Sequence, residues 1–279
     1  MSLRTIACLA GLLLVACVRA GGPAGNPGEQ TPPPATAKNT ATATAPAADP
    51  APMVILKRLE AAGAKYPNLS ATMDYVVDML QAGYRESCAG TVYYQSGTEK
   101  EPAKFRIHFD NLQQDDGPRF KNVVDYVFDG SWLTVRKERT KQFIRYQVAP
   151  PGENVNALQL GKGPFPVPFG QKAETVLDFF EVSTRKPEKT DPPQTDYIKL
   201  VTRQRQQAEM SVKWIELWVR PDGLPVRIVT EDRSENLTTV VFDKIKTPKE
   251  FPKATFDLPT PLAALGWEVR IETFTGQVK

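Results

Sequence analysis

This sequence contains very little histidine, a residue that many catalytic and metal sites need. His108 is the only histidine in 279 residues, so a pair of histidine ligands for a metal is excluded, and a Ser-His-Asp triad could use only this residue. It lies in Phe-Arg-Ile-His-Phe, where strand alternation places it with Arg106 on a polar face. The Gly-x-Gly at Gly161 lacks the third glycine of a dinucleotide loop, and no nucleophile elbow is present. We therefore expect a protein that is not an enzyme and that needs no metal or cofactor.

Cysteine is almost as scarce, which bears on how the fold is held together. Cys8 and Cys17 lie in the first 20 residues, and Cys88 is then alone in the remainder of the chain. An intrachain disulfide has no second cysteine there. The fold must depend on an apolar core, and a body of about 227 residues is long enough to bury one.

Long hydrophobic runs are missing as well, apart from one short run near the N-terminus. Residues 5–16 are apolar and follow Arg4. A membrane span needs about 20 apolar residues, so the run is too short and is typical of a signal peptide over residues 1–20. Leu14-Val-Ala-Cys17 resembles a lipobox, which would attach lipid to Cys17, whereas Val18-Arg-Ala20 fits ordinary cleavage. Both alternatives predict a periplasmic protein, either anchored through Cys17 or soluble.

The sequence has no strong excess of charge of one sign. It carries 35 basic and 32 acidic residues, and removal of Arg4 and Arg19 with the signal peptide leaves 33 basic against 32 acidic residues. Such a balance is not the electrostatic footprint of a nucleic-acid-binding protein. The densest basic stretches are the turn at 136–141 and Arg203-Gln-Arg205, which we interpret as solvated strand ends.

Composition divides the remainder into a tether and one domain. Residues 21–52 consist mainly of Pro, Ala, Thr and Gly, and they cannot bury enough apolar surface to fold. Residues 53–279 form the domain. Its first part, 53–83, has apolar residues at helix spacing with a break at Pro67, although 71–79 could instead be a first strand.

From residue 87 onward the pattern changes to short strands separated by turns. Asp129-Gly130 and Asp222-Gly223 favour hairpins, because these turns require a positive φ. A Pro/Gly-rich loop at 161–170 interrupts the series and is followed by a predicted helix at 171–180. The predicted strands are 90–95, 103–111, 122–128, 132–138, 142–149, 180–185, 196–204, 211–220, 225–232, 237–246 and 267–274.

These strands predict a mostly β (α+β) fold, a curved antiparallel sheet of about 11 strands with helices on its concave side. A sheet of this size tends to curl or close. Several strands are apolar on both faces, so each face needs a cover. Aromatic residues occur on nearly every strand, a composition that suits either a core or an apolar cavity.

The order of motifs resembles the outer-membrane lipoprotein carrier family, the LolA-like proteins of the lipoprotein-localisation superfamily. The resemblance covers about residues 54–258. It rests on six short strings in sequence order: 90–94 (GTVYY), 103–109 (AKFRIHF), 127–133 (VFDGSWL), 215–219 (IELWV), 223–226 (GLPV) and 239–243 (TVVFD). The turn at 96–102 departs from the family pattern, and so does the long tether, which would suit a membrane-anchored acceptor.

The resemblance implies an incomplete barrel with helices as a lid, a cavity for acyl chains, and carriage of lipoproteins or other lipids across the periplasm. A monomer would exchange cargo with delivery partners at the inner or outer membrane. Arg106 would lie near the cavity mouth. The residues expected to line the cavity are Tyr93, Phe105, Arg106, Phe109, Phe128, Trp132, Trp214 and Trp218. The expected lid residues are Phe165, Phe169, Val176 and Leu177.

A second class of function stays open at this point. The same fold could serve as a tethered periplasmic module that binds a protein rather than lipid.

Overall fold

The computed structural model describes residues 50–98, 101–150, 169–208 and 210–274. The predicted signal peptide with Cys17, nearly all of the predicted tether, and Phe165 lie outside these residues. The described residues contain two α-helices, α1 (Pro50–Lys65) and α2 (Ala173–Phe179). Helix α1 begins at Pro50, so the last three residues of the predicted tether belong to it.

The described ranges contain twelve strands, which form a single sheet. They are β1 (Asn68–Met79), β2 (Tyr84–Gln95), β3 (Lys104–Gln114), β4 (Phe120–Phe128), β5 (Trp132–Lys137), β6 (Gln142–Gln147), β7 (Phe180–Arg185), β8 (Asp196–Thr202), β9 (Val212–Val219), β10 (Pro225–Asp232), β11 (Asn236–Lys246) and β12 (Glu268–Glu272).

The sheet is built from two antiparallel meanders. Its order is β12-β6-β5-β4-β3-β2-β1-β11-β10-β9-β8-β7, so β1–β6 and β7–β11 meet where β1 pairs with β11. Strand β12 returns to the far edge and pairs with β6 in parallel. The sheet stays open, with β7 and β12 as its edges. The mostly β fold predicted from the sequence is therefore confirmed, with one strand more than expected.

The region after Pro67 is the one place where the sequence left helix and strand open. Residues 68–79 are strand β1, paired on both sides by β2 and β11. A second helix there is ruled out. Thr72, Tyr75, Val76 and Val77 are β-branched or aromatic residues that favour a strand, and they outweigh the helical spacing of the apolar positions.

Both predicted hairpin turns form. Gly130 has φ of 103° and Gly223 has φ of 85°, a backbone region that residues with a side chain rarely adopt. Asp129 closes the first turn, since its carboxylate accepts hydrogen bonds from the backbone N–H groups of Ser131 and Trp132 at 3.1 and 2.8 Å. These turns set the register of β4 against β5 and of β9 against β10.

The two faces of the sheet have different covers. Helix α1 packs on β7 and β8, and α2 packs on α1 and β7; we call this side the helix face. The other side, the far face, is crossed by the connection between β11 and β12, residues 247–267, which we call the strap. Phe251 of the strap packs edge-on against Tyr93 with ring centroids 5.8 Å apart, and Phe256 packs against Phe251 at 5.6 Å.

Within the described part of the chain, no helix is long and apolar enough to cross a membrane.

Candidate functional site: the apolar helix face

The helix face carries two large apolar clusters. The first, the helix cluster, joins Ile55, Leu56 and Leu59 of α1 and Val176 of α2 to strands β7–β10. Its strand members are Phe180, Ile198, Leu200, Val212, Ile215, Leu217, Val219 and Ile228. These contacts seat α1 and α2 directly on the sheet.

The second cluster, the strand cluster, has no helix residue among its buried members. They come from β1–β5 and are Met73, Cys88, Phe105, Ile107, Phe109, Leu112, Val124, Tyr126, Phe128, Leu133 and Val135. Phe105 and Phe128 stack with ring centroids 5.4 Å apart, and Tyr126 meets Phe109 edge-on at 6.3 Å. This half of the helix face is therefore built by the sheet itself.

The two clusters form one continuous apolar face. Val240 and Phe242 of β11 pack against both of them, and Phe242 pairs with Met73 across β1. An apolar face of this extent runs from β5 to β7, across both meanders. The helices occupy only the β7–β10 end of it.

A third, smaller cluster ties the two together at one end. Phe169, Ala62 of α1 and Leu224 are buried together, and the Phe169 ring meets Tyr94 edge-on at 6.2 Å. Burial raises the pKa of the Tyr94 phenol to about 12, so the hydroxyl stays protonated at neutral pH.

Helix α1 approaches the end of the 161–170 loop very closely. A Cβ placed on Gly63 would lie 2.3 Å from the Cα of Gly170, a distance that no side chain can tolerate. The backbone N–H of Gly170 donates to the carbonyl of Leu59 at 3.3 Å. Val176 is buried and Leu177 packs partly buried against the helix cluster. Thus Phe169, Val176 and Leu177, three of the predicted lid residues, lie on the helix face.

The structure divides the predicted cavity residues between the two faces. Phe105, Phe109 and Phe128 belong to the strand cluster on the helix face. Cross-strand pairing joins Tyr93 to Arg106 and Tyr197 to Trp218, and these side chains lie on the far face with Trp132 and Trp214. Successive side chains in a strand point to opposite faces, so Phe105 and Arg106 cannot line the same cavity wall.

Arg106 takes part in a polar cluster beneath the strap. Its Nε and Nη2 donate to Oδ1 of Asp125 at 3.0 and 2.8 Å, and its Nη1 donates to the carbonyl of Thr255 in the strap at 3.2 Å. The ring Nδ1 of His108 lies 2.8 Å from the same carboxylate oxygen. Arg106 therefore fastens the strap to the sheet.

The contacts in this polar cluster shift the pKa values of both His108 and Asp125. The hydrogen bond with Asp125 raises the pKa of His108, although burial opposes it. Burial alone would raise the pKa of Asp125, but the hydrogen bonds from His108 and Arg106 outweigh it and lower that pKa. The hydrogen bonds from Arg106 and His108 thus favour the ionised form of the carboxylate.

All four tryptophans lie on the far face, each beneath a cationic group. The distances from cation to ring centroid are 4.9 Å for Arg145 and Trp132, 4.5 Å for Lys199 and Trp214, 4.6 Å for Arg227 and Trp218, and 5.0 Å for Arg136 and Trp267. Two of the indole N–H groups donate to carboxylates, Trp214 to Glu231 at 2.9 Å and Trp218 to Asp191 at 2.6 Å. The far face is accordingly amphipathic, with every indole in a polar setting.

One buried carboxylate on the helix face was not anticipated from the sequence. Glu86 is 3% exposed and accepts hydrogen bonds from the Tyr84 hydroxyl at 2.7 Å and from Gln114 at 3.2 Å. It pairs with Val77 across β1 and lies two residues before Cys88, on the same face of β2. The alternation of β2 could have indicated its position, but Glu86 precedes the segment that we predicted as a strand.

Among the residues that the structure describes, no group of three or more His, Cys, Asp and Glu is arranged to hold a metal ion.

No protein-family model matches the sequence, and no curated protein is significantly similar to it. Several solved structures are similar in fold at low identity. An uncharacterized conserved protein from Thermus thermophilus is 13% identical over 80% of this chain and 98% of its own, with a TM-score of 0.44.

Two further solved structures are similar in fold at low identity. LprF from Mycobacterium bovis is 11% identical over 74% of this chain and 97% of its own, with a TM-score of 0.40. A LolA superfamily protein from Nitrosomonas europaea is 12% identical over 74% of this chain and 97% of its own, with a TM-score of 0.29. At these values the likenesses concern the fold and assign no activity to this chain.

Proposed function

We propose that this protein binds the acyl chains of lipids or lipoproteins on the helix face of its sheet and transfers them within the periplasm. The observation that supports this is the continuous apolar face formed by the helix and strand clusters. An acyl chain gains about 0.8 kcal/mol for each methylene that it buries. A chain of ~16 carbons would therefore gain roughly 13 kcal/mol from full shelter.

The strand cluster is the proposed seat of the acyl chain. Its aromatic residues Phe105, Phe109, Tyr126 and Phe128 are buried by one another and by neighbouring strands. These side-chain contacts keep the apolar surface away from water. An entering acyl chain would take the place of part of these contacts. Because the apolar surface is covered in both states, binding and release can be close in free energy, which a carrier requires.

Phe169, Val176 and Leu177 with helix α1 form the proposed lid. They cover the β7–β10 end of the helix face, and Phe169 contacts Tyr94 at its border with the strand cluster. Movement of this group away from Tyr94 would open a path along the face. The close approach of Gly63 to Gly170 joins α1 to the 169–170 turn, so these two parts of the lid would move together.

A photoreactive fatty acid tests this proposal directly. After irradiation, we expect peptides from β3 and β4 to carry the label at Phe105, Phe109, Tyr126 or Phe128, and the far-face tryptophans to stay unlabelled. Saturable binding should fall at least about tenfold in Phe169→Asp and stay unchanged in Trp214→Asp, a matched aromatic-to-aspartate change on the far face. Circular dichroism establishes that both variants are folded.

Two results would count against the proposal. Absence of saturable binding would remove lipid as the ligand and leave the protein-binding alternative. Labelling confined to the far face would move the site to the other side of the sheet.

A further inference from the structure

The strap ends in an uncharged tip that projects from the sheet edge. Residues 258–267 read Leu-Pro-Thr-Pro-Leu-Ala-Ala-Leu-Gly-Trp, ten residues without a charge. Leu262 is 69% exposed and Leu265 is 61% exposed, the highest values among the large apolar residues that the structure describes. Both are therefore presented to the surroundings instead of packing on the sheet.

The tip is held in a defined shape. A short 3-10 turn spans Ala263–Leu265 and ends at Gly266, which has φ of 79°. Pro259 and Pro261 restrict the backbone that leads into the turn. The leucines are thus displayed by a fixed turn, and displaying them costs little further conformational entropy on binding.

A basic turn lies directly beside this tip. Residues 136–141, which we call the basic turn, comprise the end of β5 and the β5–β6 hairpin turn, and they contain Arg136, Lys137, Arg139 and Lys141 against the single acid Glu138. The ammonium of Lys141 donates to the carbonyl of Leu265 at 2.8 Å, and the backbone N–H of Glu268 donates to the carbonyl of Lys141 at 2.8 Å. These contacts join the most basic stretch of the sequence to the most exposed leucines among the described residues.

A contact between Trp267 of the tip and Arg136 of the basic turn also joins these two segments. The Arg136 guanidinium lies 5.0 Å from the ring centroid of Trp267 and pairs with Glu138 at 2.7 Å. The only acid of the basic turn is therefore engaged inside it. Arg139 and Lys141 are exposed on this turn. The ammonium of Lys141 contacts the tip, and the guanidinium of Arg139 lies 5.4 Å from the ring centroid of Phe120.

We propose that the tip and the basic turn together form a membrane-docking edge that binds the surface of an anionic phospholipid bilayer. Leucine side chains enter the boundary between headgroups and acyl chains, tryptophan favours that boundary, and lysine and arginine bind lipid phosphates. A stable protein dimer buries about 1,200 Å² or more, which two leucine side chains are far too small to supply. Their size suits shallow insertion into lipid.

The docking edge goes beyond the proposed acyl-chain site and does not depend on it. The tip lies on the strap and at the β12 edge, whereas the acyl chain is assigned to the helix face. A protein that only docked on membranes would keep this edge without binding fatty acid. A protein that only bound fatty acid would keep the helix-face site without docking through this edge. The two proposals therefore fail independently.

An environment-sensitive fluorophore at Ala264→Cys tests docking at the tip itself. The full chain carries Cys8→Ser and Cys17→Ser in every sample, and Cys88 is buried, so the introduced cysteine is the reactive one. The matched control is Leu80→Cys, at a leucine that is 58% exposed in the connection between β1 and β2. Vesicles are made from phosphatidylcholine alone or from phosphatidylcholine mixed with phosphatidylglycerol.

We expect a blue shift at residue 264 with vesicles that contain phosphatidylglycerol, a weaker response in high salt, and none at residue 80. Leu262→Asp with Leu265→Asp should weaken the response at least about tenfold. Arg139→Gln should weaken it about fivefold, the factor for one charge at an anionic surface. The stability of each variant is measured by urea unfolding.

Three results would overturn the inference. One is an equal response at residues 80 and 264, which would indicate adsorption of the whole chain. Another is no response at 264 while the fatty-acid probe still binds. The third is a blue shift that depends on protein concentration without vesicles, which would make the tip a contact between two copies of the chain.

Discussion

At the scale of residues, His108 gives the protein a defined pH dependence. Asp125 raises the pKa of His108 above its ordinary value of about 6.5. A raised pKa in the folded state contributes stability that is complete below the ordinary pKa and is lost as pH rises through the folded one. We expect the free energy of unfolding, measured in urea, to fall over the pH interval that begins near the ordinary pKa and ends above the raised pKa of His108. His108→Gln should remove about 1–2 kcal/mol at the acidic end of this interval and little at the basic end.

The neighbours of His108 define the control for this experiment. Asp110 lies 3.2 Å from its Nε2 and Asp125 lies 2.8 Å from its Nδ1, with Arg106 on the same carboxylate. Asp125→Asn removes the main partner and should flatten the same pH interval, whereas Asp110→Asn, at an exposed position, should change it only slightly. If His108→Gln and the unmodified protein lost stability in parallel across this interval, another group would be responsible.

At the scale of elements, the strap is the second cover of the sheet, and Phe251 packs its apolar ring on the far face. The Phe251 ring touches Tyr93 below it and Phe256 beside it. Phe251→Ala should lower the free energy of unfolding by about 2 kcal/mol. Fatty-acid binding should stay unchanged, because the strap lies on the face away from the proposed site.

Leu265→Ala is the matched control, since it truncates an exposed apolar residue of the same strap. We expect it to change stability by less than about 0.5 kcal/mol. Loss of fatty-acid binding in a folded Phe251→Ala variant would contradict the assignment of acyl chains to the helix face. Measurement of both properties on the same samples separates the two roles.

The elements also show what the sequence could and could not predict. Strands β7 and β10 were predicted at their observed bounds, because strand alternation and the Asp222-Gly223 turn are local signals. The two-sided apolar pattern of β9 correctly indicated that both faces need covers. The identity of the far-face cover could not be predicted. Residues 247–265 contain four prolines and no strand pattern, and their position depends on long-range contacts such as Arg106 to Thr255.

The residues of the candidate site were predictable by type but not by face. A list of aromatic residues is a property of composition, whereas the face that each one occupies depends on register. Phe105 and Arg106 are neighbours in sequence and lie on opposite sides of the sheet. The register of β3 against β2 shifts by one residue between the pairs Ser87–Gln113 and Gly90–Phe109, because β3 has one extra residue there, and no local sequence pattern predicts this shift.

At the scale of the whole molecule, the sheet separates an apolar side from an amphipathic one, and tryptophan marks the latter. The four tryptophans of the chain all lie on the far face. Bromine quenches indole fluorescence only at contact. A brominated fatty acid bound on the helix face should therefore leave the native emission nearly unchanged, even when the fluorescent probe shows that the site is saturated.

Neighbouring tyrosines supply a matched pair of reporters for this separation. Tyr93 and Tyr94 are adjacent in β2, but Tyr93 faces Phe251 of the strap and Tyr94 faces Phe169 at the border of the strand cluster. Tyr94→Trp should make about one-fifth of the emission quenchable, since one tryptophan in five would then face the acyl chain. Tyr93→Trp should add none. Equal quenching in the two variants would show that bound lipid is not confined to the helix face. Quenching in Tyr93→Trp alone would place the bound lipid beneath the strap. The strap would then have to move away from Arg106 and Asp125 to admit the lipid.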